Sequence, residues 1–152
     1  PALPFPAKAR KLQALAAHVT VNYAGALMAS LPRDREALRE ELLSIHGIGE
    51  ETADDIMVYA AEQPSFVIDT YTRRIIDRMG LAPDGKNPKY ADYQTLFHDN
   101  LAPDPGLFNE YHALLDRHAK DPCSKRSPHC GGCALQDLCD TGKQWAATAQ
   151  SS

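Results

Sequence analysis

The four cysteines of the sequence stand in one run, Cys123, Cys130, Cys133 and Cys139, within its last fifth. Thiolates favour soft metals, and four gathered this closely can enclose a metal ion or an iron–sulfur cluster. The intervals of six, two and five residues contain a single Cys-x-x-Cys couple. Zinc sites usually pair two such couples across a longer gap. The spacing here suits a compact loop around a cubane cluster, in which each iron takes one thiolate. A zinc knot and unrelated buried thiols are the alternatives. Gly131 and Gly132 permit a tight wrap, because glycine lets the backbone turn close to its occupant. Lys125, Arg126 and His129 project from the first interval, either as a solvated loop or as a basic finger for phosphates.

A second constellation is Gly47-Ile48-Gly49, followed by Glu50-Glu51-Thr52-Ala53-Asp54. Glycines in such a turn let backbone amides approach a phosphate, and the following helix points its positive end at the anion. The same pattern also makes a plain helix–helix turn, and no strand precedes it as a dinucleotide fingerprint requires. The third constellation is Phe66-Val67-Ile68-Asp69-Thr70, with Arg73, Arg74 and Arg78 behind it. An apolar tripeptide delivers Asp69 to the start of a helix. There it serves as an N-cap, and in a partly apolar cleft it can also stabilise a developing cation or orient a water. The arginines form a solvated, pairing face that also allows phosphate contacts.

The elements that must position these groups read as helices. Apolar spacing predicts helices over 6–19 (Leu12, Leu15, Ala16, Val19), 23–30, 34–44 (Leu38, Leu42, Leu43), 50–61 (Ala53, Ile56, Met57, Ala60) and 71–79. Gly80 fits the left-handed stop of the last of these. Asn87-Pro88 reads as a capped start for a helix reaching 101, which Pro103 and Pro105 break. A further helix over 106–119 carries Leu107, Tyr111, Leu114, Leu115 and His118 inward, and residues 146–152 read as a frayed tail. Only 66–68 reads as extended. The domain expectation is a helical body over 1–119 with the hairpin at about 43–61, a cysteine loop over 120–140 and a tail over 141–152.

Composition bounds the partners. The chain has 152 residues, 43% hydrophobic and 24% charged, which is the balance of a globular domain with a real core. No run of about 18 apolar residues could span a membrane, and the first residues lack the pattern of a signal peptide. These features favour the cytosol, where clustered cysteines usually mean metal. A net charge of −4 argues against general nucleic-acid affinity but leaves room for a local basic footprint.

Taken in order, the three segments resemble the endonuclease III superfamily of DNA glycosylases. Gly47-Ile48-Gly49-x-x-Thr52-Ala53 is similar to its helix-hairpin-helix, Val67-Ile68-Asp69-Thr70-x-x-x-Arg74 to its Gly/Pro-plus-Asp segment, and the cysteine spacing to its iron–sulfur loop. The resemblance covers about 8 to 140. It implies an all-α fold that flips a damaged base out of double-stranded DNA and cuts its glycosidic bond. It assigns Asp69 as the essential carboxylate, and Cys123, Cys130, Cys133 and Cys139 as ligands of a 4Fe-4S cluster. Gly47, Ile48, Gly49 and Thr52 become the phosphate-holding hairpin, with a monovalent cation as a further expectation there. Arg73, Lys125 and Arg126 become additional DNA contacts, and Lys120 a candidate for a phosphate or the active site.

One departure bears on the reaction. Bifunctional members carry, two residues after the second hairpin glycine, a lysine that attacks the sugar. Here that residue is Glu51, and a carboxylate cannot form an imine. The pattern looks like the endonuclease III-related branch that includes 3-methyladenine glycosylases. It implies a monofunctional glycosylase for alkylated bases, in which Glu51 helps place a water or simply starts a helix. The family also places several helices ahead of the segment that begins this chain, so the resemblance implies that its first helices are lacking. The expectation is a monomeric bacterial or archaeal protein associated with the nucleoid. The rivals are a bifunctional glycosylase and AP lyase for oxidised pyrimidines, and a non-catalytic iron–sulfur DNA-binding module.

Overall fold

The computed structural model describes residues 6–26 and 34–149. They form seven α-helices and one short 3-10 turn, with no strand among the described residues. No helix among them is long and apolar enough to cross a membrane. The chain divides into two compact units, one ending at Ser65 and one starting at Phe66.

The first unit contains α1 (Pro6–Tyr23), α2 (Arg35–Ser44) and α3 (Glu50–Tyr59). Its core is Leu38, Leu42, Ile45, Ala53 and Met57, with Ala14, Leu15, Ile48 and Ile56 packed on it. Of the expected stripes, Leu15, Leu38 and Leu42 pack inward, while Leu12 of α1 and Leu43 of α2 are exposed and Ala14 and Ile45 join the inward side. Of the helix expected over 23–30, Tyr23 is the last residue of α1 and Ala24 and Gly25 have positive φ; residues 27–30 lie outside the described residues. Asp34 caps α2 by accepting from the Ala37 amide at 2.8 Å. A buried ion pair ties α2 to α3. Arg39 donates to both oxygens of Asp54, at 2.8 and 3.1 Å, and Ser65 Oγ donates to Asp54 Oδ1 at 2.7 Å. Asp54 is wholly buried, and a buried carboxylate persists only when paired this fully.

The second unit begins with the extended 66–69 segment and continues through α4 (Thr70–Met79), α5 (Tyr90–Asn100), α6 (Pro105–Lys120), a 3-10 turn (Cys130–Gly132) and α7 (Asp140–Ala149). The extended segment is buried yet has no strand partner, so its backbone polar groups need other partners. Side chains of α5 supply them. His98 Nε2 accepts from the Phe66 amide at 3.0 Å, Gln94 Nε2 donates to the Phe66 carbonyl at 2.8 Å, and Tyr90 OH accepts from the Ile68 amide at 3.1 Å. The Phe66 ring stacks on Phe97 at 3.7 Å and meets Phe108 edge-on at 5.3 Å.

Several expected boundaries move. Pro105 opens α6 instead of only ending the helix before it, because Asp104 caps the turn by accepting from the Leu107 amide at 2.8 Å. The helix expected from Asn87-Pro88 starts at Tyr90, where Asp92 accepts from the Lys89 amide at 2.6 Å. In α6 the inward row is Phe108, Leu115 and Ala119, while Leu107 and Leu114 are exposed. Residues 140–149, expected as loop end and tail, are helical. Gly80 does end α4, at φ +78°, with its amide and that of Leu81 closing on the last turn.

Candidate functional site

Asp69 closes the extended segment and caps α4, its Oδ1 accepting from the Thr72 amide at 2.6 Å. Its side chain is 16% exposed, and Oδ2 stands 3.8 Å from Nε2 of His112 on α6. Burial pushes this carboxyl up, but His112 and the Thr72 amide outweigh it and bring its pKa down to about 2. The group is therefore ionised, half-sheltered and held on two sides. His112 went unread in the sequence. The signal was available, since it lies four residues after Phe108 and three before Leu115, in the inward row.

Tyr71 follows Asp69, and its ring lies 5.1 Å from the Arg74 guanidinium and 5.9 Å from Lys120 Nζ. Lys120 is held by Asp116 at 2.6 Å. Asp116 first, and the charges of Tyr71 and Asp69 after it, raise its pKa. Thus Lys120 lies within electrostatic reach of Asp69. Arg73 sits over the Tyr93 ring at 5.0 Å. Arg74 donates to the carbonyls of Cys123 and Ala119 at 3.2 and 2.9 Å, so it ties α4 to the cysteine loop. An open basic groove is lined by Tyr71, Arg73, Arg74, Arg78 and Lys125, with Asp77 as its acid.

Each of the four cysteines is free, and together they line one cavity with Ile75, Met79 and His118. The loop is built from its own turns. The Cys123 amide donates to the His118 carbonyl, Cys133 to Cys130, and Cys139 to Leu135, at 2.9 to 3.1 Å. Burial, then the charges of Cys139, Cys133 and Cys123, push the Cys130 thiol up, with Arg78 acting against them. Burial lowers the pKa of His118, whose Nε2 lies 3.7 Å from Cys133 Sγ. Among the described residues no three Cys, His, Asp or Glu side chains converge closely enough for a single metal ion. Helix α7 braces the loop. The Trp145 ring occupies the space a Cβ on Gly131 would need, and a Cβ on Gly142 would stand 2.6 Å from the Gln136 carbonyl. Lys125 and Arg126 are exposed at the tip of the first interval.

In the first unit, the hairpin turns at Gly47, whose φ of +86° favours glycine. A Cβ there would also collide with the Lys11 side chain. The Ile48 amide donates to the Ile45 carbonyl at 3.0 Å and so closes the turn. That leaves an anion the Gly49 end of the hairpin and the first-turn amides of α3, which a helix does not bond internally. Lys8, Lys11, Gly47, Ile48 and Thr52 border one shallow groove. Glu51 is exposed in the first turn of α3, where the helix dipole favours an acid.

Comparison with known proteins places these features in a wider set. Residues 30–59 match the helix-hairpin-helix motif. A protein of Methanocaldococcus jannaschii, named as a candidate DNA repair glycosylase, is 38% identical over 133 residues, 87% of this chain and 59% of the relative. The endonuclease III of Sulfolobus acidocaldarius is 36% identical over 70% of this chain and 46% of its own length. That of Escherichia coli K12 is 31% identical over 72% and 48%. Among solved structures, a trapped endonuclease III–DNA covalent intermediate superposes with a TM-score of 0.73 at 26% identity, covering 91% of this chain and 60% of the other. A thermostable thymine-DNA glycosylase shares the fold, with a TM-score of 0.54 at 22% identity. The chain thus spans about three fifths or less of the length of these relatives.

Proposed function

This chain belongs to the endonuclease III superfamily of helix-hairpin-helix DNA glycosylases, and from that premise we propose that it excises damaged bases, alkylated ones above all, from duplex DNA by hydrolysis. The observation that carries the reading is Asp69, a sheltered carboxylate held ionised beside His112. Cleaving an N-glycosidic bond leaves an oxocarbenium-like sugar, which a fixed negative charge stabilises as it forms. A carboxylate with a pKa near 2 is a weak base. Its part is therefore to stabilise the sugar cation and orient the attacking water, rather than to take a full proton early. The base must leave the stack to reach such a group.

Glu51 supports hydrolysis without strand cleavage. It stands where the bifunctional members carry their nucleophilic lysine, and its carboxylate cannot form a Schiff base. The hairpin end at Gly49, Thr52 and the exposed Lys125 and Arg126 serve as phosphate contacts, and Arg73 borders the basic groove.

Four free thiols around one cavity fit a 4Fe-4S cluster held by Cys123, Cys130, Cys133 and Cys139. Burial first, and then the charges of the neighbouring cysteines, push the Cys130 thiol up, so its ionised form is favoured only beside a cationic occupant. When bound, the cluster supplies a rigid crosslink among four loop positions. The protein's own residues then hold the 123–129 loop out as a basic finger.

The test is base release from duplexes carrying alkylated, oxidised or deaminated bases, with and without borohydride. Abasic sites from alkylated duplexes with no trapped adduct support the reading. A covalent adduct favours the bifunctional rival, and salt-sensitive DNA binding with no base release favours the non-catalytic one.

A further inference from the structure

Arg78 lies in the last turn of α4, and its guanidinium reaches three successive residues of the cysteine loop. Nη1 donates to the carbonyl of Cys123 at 3.1 Å, to Cys123 Sγ at 3.0 Å and to the Ser124 carbonyl at 2.9 Å, while Nη2 donates to the Lys125 carbonyl at 3.1 Å. Its own carbonyl accepts from the Cys139 thiol at 3.1 Å. One residue thus touches both the first and the last cysteine of the run. The hydrogen bonds of Arg74, one turn earlier, go to the carbonyls of Cys123 and Ala119. The sulfur contact is what separates the two arginines.

A guanidinium stays protonated and presents several donors in a rigid fork. A donor aimed at a ligating sulfur withdraws electron density from it and favours the electron-rich state of whatever that sulfur binds. The carbonyl contacts have a different effect. They fix the backbone from Cys123 to Lys125, and so set where the basic finger leaves the loop.

From this geometry we infer that Arg78 is the positioning residue of the cysteine site: it aims the Cys123 sulfur into the cavity, tunes the bound cluster by donating to that sulfur, and anchors the root of the basic finger. This rests on the reading that the four thiols hold an iron–sulfur cluster.

The experiment compares wild type, R78Q and R78K as purified holoprotein. The readouts are the cluster's reduction potential by film voltammetry, its Fe–S stretching frequencies by resonance Raman, and the rate of iron loss to a chelator. In R78Q the oxidised form gains about tenfold at fixed potential, which is about 59 mV lower for a one-electron couple. Its Fe–S stretches shift, and iron leaves about tenfold faster. R78K keeps the charge but not the fork, and lies between R78Q and wild type. Potential and stretching frequencies equal to wild type in both variants overturn the proposal, even if iron is lost faster, since Arg78 is then a brace alone. If R78Q does not load, R78K decides: a potential below wild type supports the proposal and an unchanged one overturns it. Wild-type protein purified without iron and acid-labile sulfide removes the cluster reading itself, before either variant is made.

Discussion

Asp69→Asn separates the charge of this carboxylate from its capping role. Asparagine caps helices about as well as aspartate, so the Thr72 amide keeps an acceptor. What disappears is the negative charge 3.8 Å from His112. The carboxyl has a pKa of about 2 in the folded chain, against an ordinary 3.8. Linkage turns that difference into about 2 kcal/mol of stability at neutral pH. Because the folded value is the depressed one, the contribution is present above 3.8 and is lost as pH falls through about 2. Urea unfolding of wild type and Asp69→Asn, followed by circular dichroism, should therefore show a gap of about 2 kcal/mol at about pH 7, nearly the same gap at about pH 4, and roughly half of it at about pH 3. Comparing two proteins at each pH cancels the acid sensitivity they share. The same pair in a base-release assay should differ completely in abasic-site formation while binding undamaged duplex alike. Equal stability at neutral pH, with no pH dependence in the difference, would refute the electrostatic argument, since burial would then outweigh His112 and Thr72. Wild-type turnover in the variant would separately refute the catalytic assignment.

Other outcomes follow from single contacts. Glu51→Lys removes an acid from the first turn of α3 and should cost about 0.5 kcal/mol. Borohydride should trap DNA on this variant and not on wild type, and a wild-type adduct would overturn hydrolysis as the mechanism. Asp54→Ala strips Arg39 and Ser65 of a wholly buried partner, and denaturant unfolding should register a loss of about 3 kcal/mol; a loss within error would mean the pair relaxes into water. Gly131→Ala places a methyl against the Trp145 ring and should cost about 1–3 kcal/mol in thermal unfolding. Adding Trp145→Ala should restore part of that cost, and no recovery would show that the ring is not the obstacle.

Much of this protein can be read along the chain because its signals are local. Helix spacing and the glycine stop at Gly80 depend on neighbours within one or two turns. The same holds for the run of four cysteines, whose cavity the loop's short turns largely build. Asp69 was legible as a cap, and the family resemblance picked it out as an acid of interest. Where the expected pattern failed, either a neighbouring cap or a distant partner decided. Pro105 reads as a breaker in isolation, yet once Asp104 caps the turn it starts a helix. The last residues read as a tail because nothing within them shows what they cover; Trp145 against Gly131 and Gly142 against Gln136 make them a brace for the cysteine loop.

The sequence by itself determined the helical class, the spacing of the thiols, the hairpin turn and the absence of a lysine at residue 51, all of which are properties of residues close together in the chain. Tertiary structure decided what each charged group does. It placed His112 beside Asp69, across 43 residues of chain, and so held the carboxylate ionised. It turned Arg74 and Arg78, which in sequence look like a phosphate-binding face, towards the backbone and sulfur of the cysteine loop. Hydrogen bonds and Coulombic interactions act over a few ångströms of space, so the side chains they join can be far apart in the sequence and no local pattern reports them.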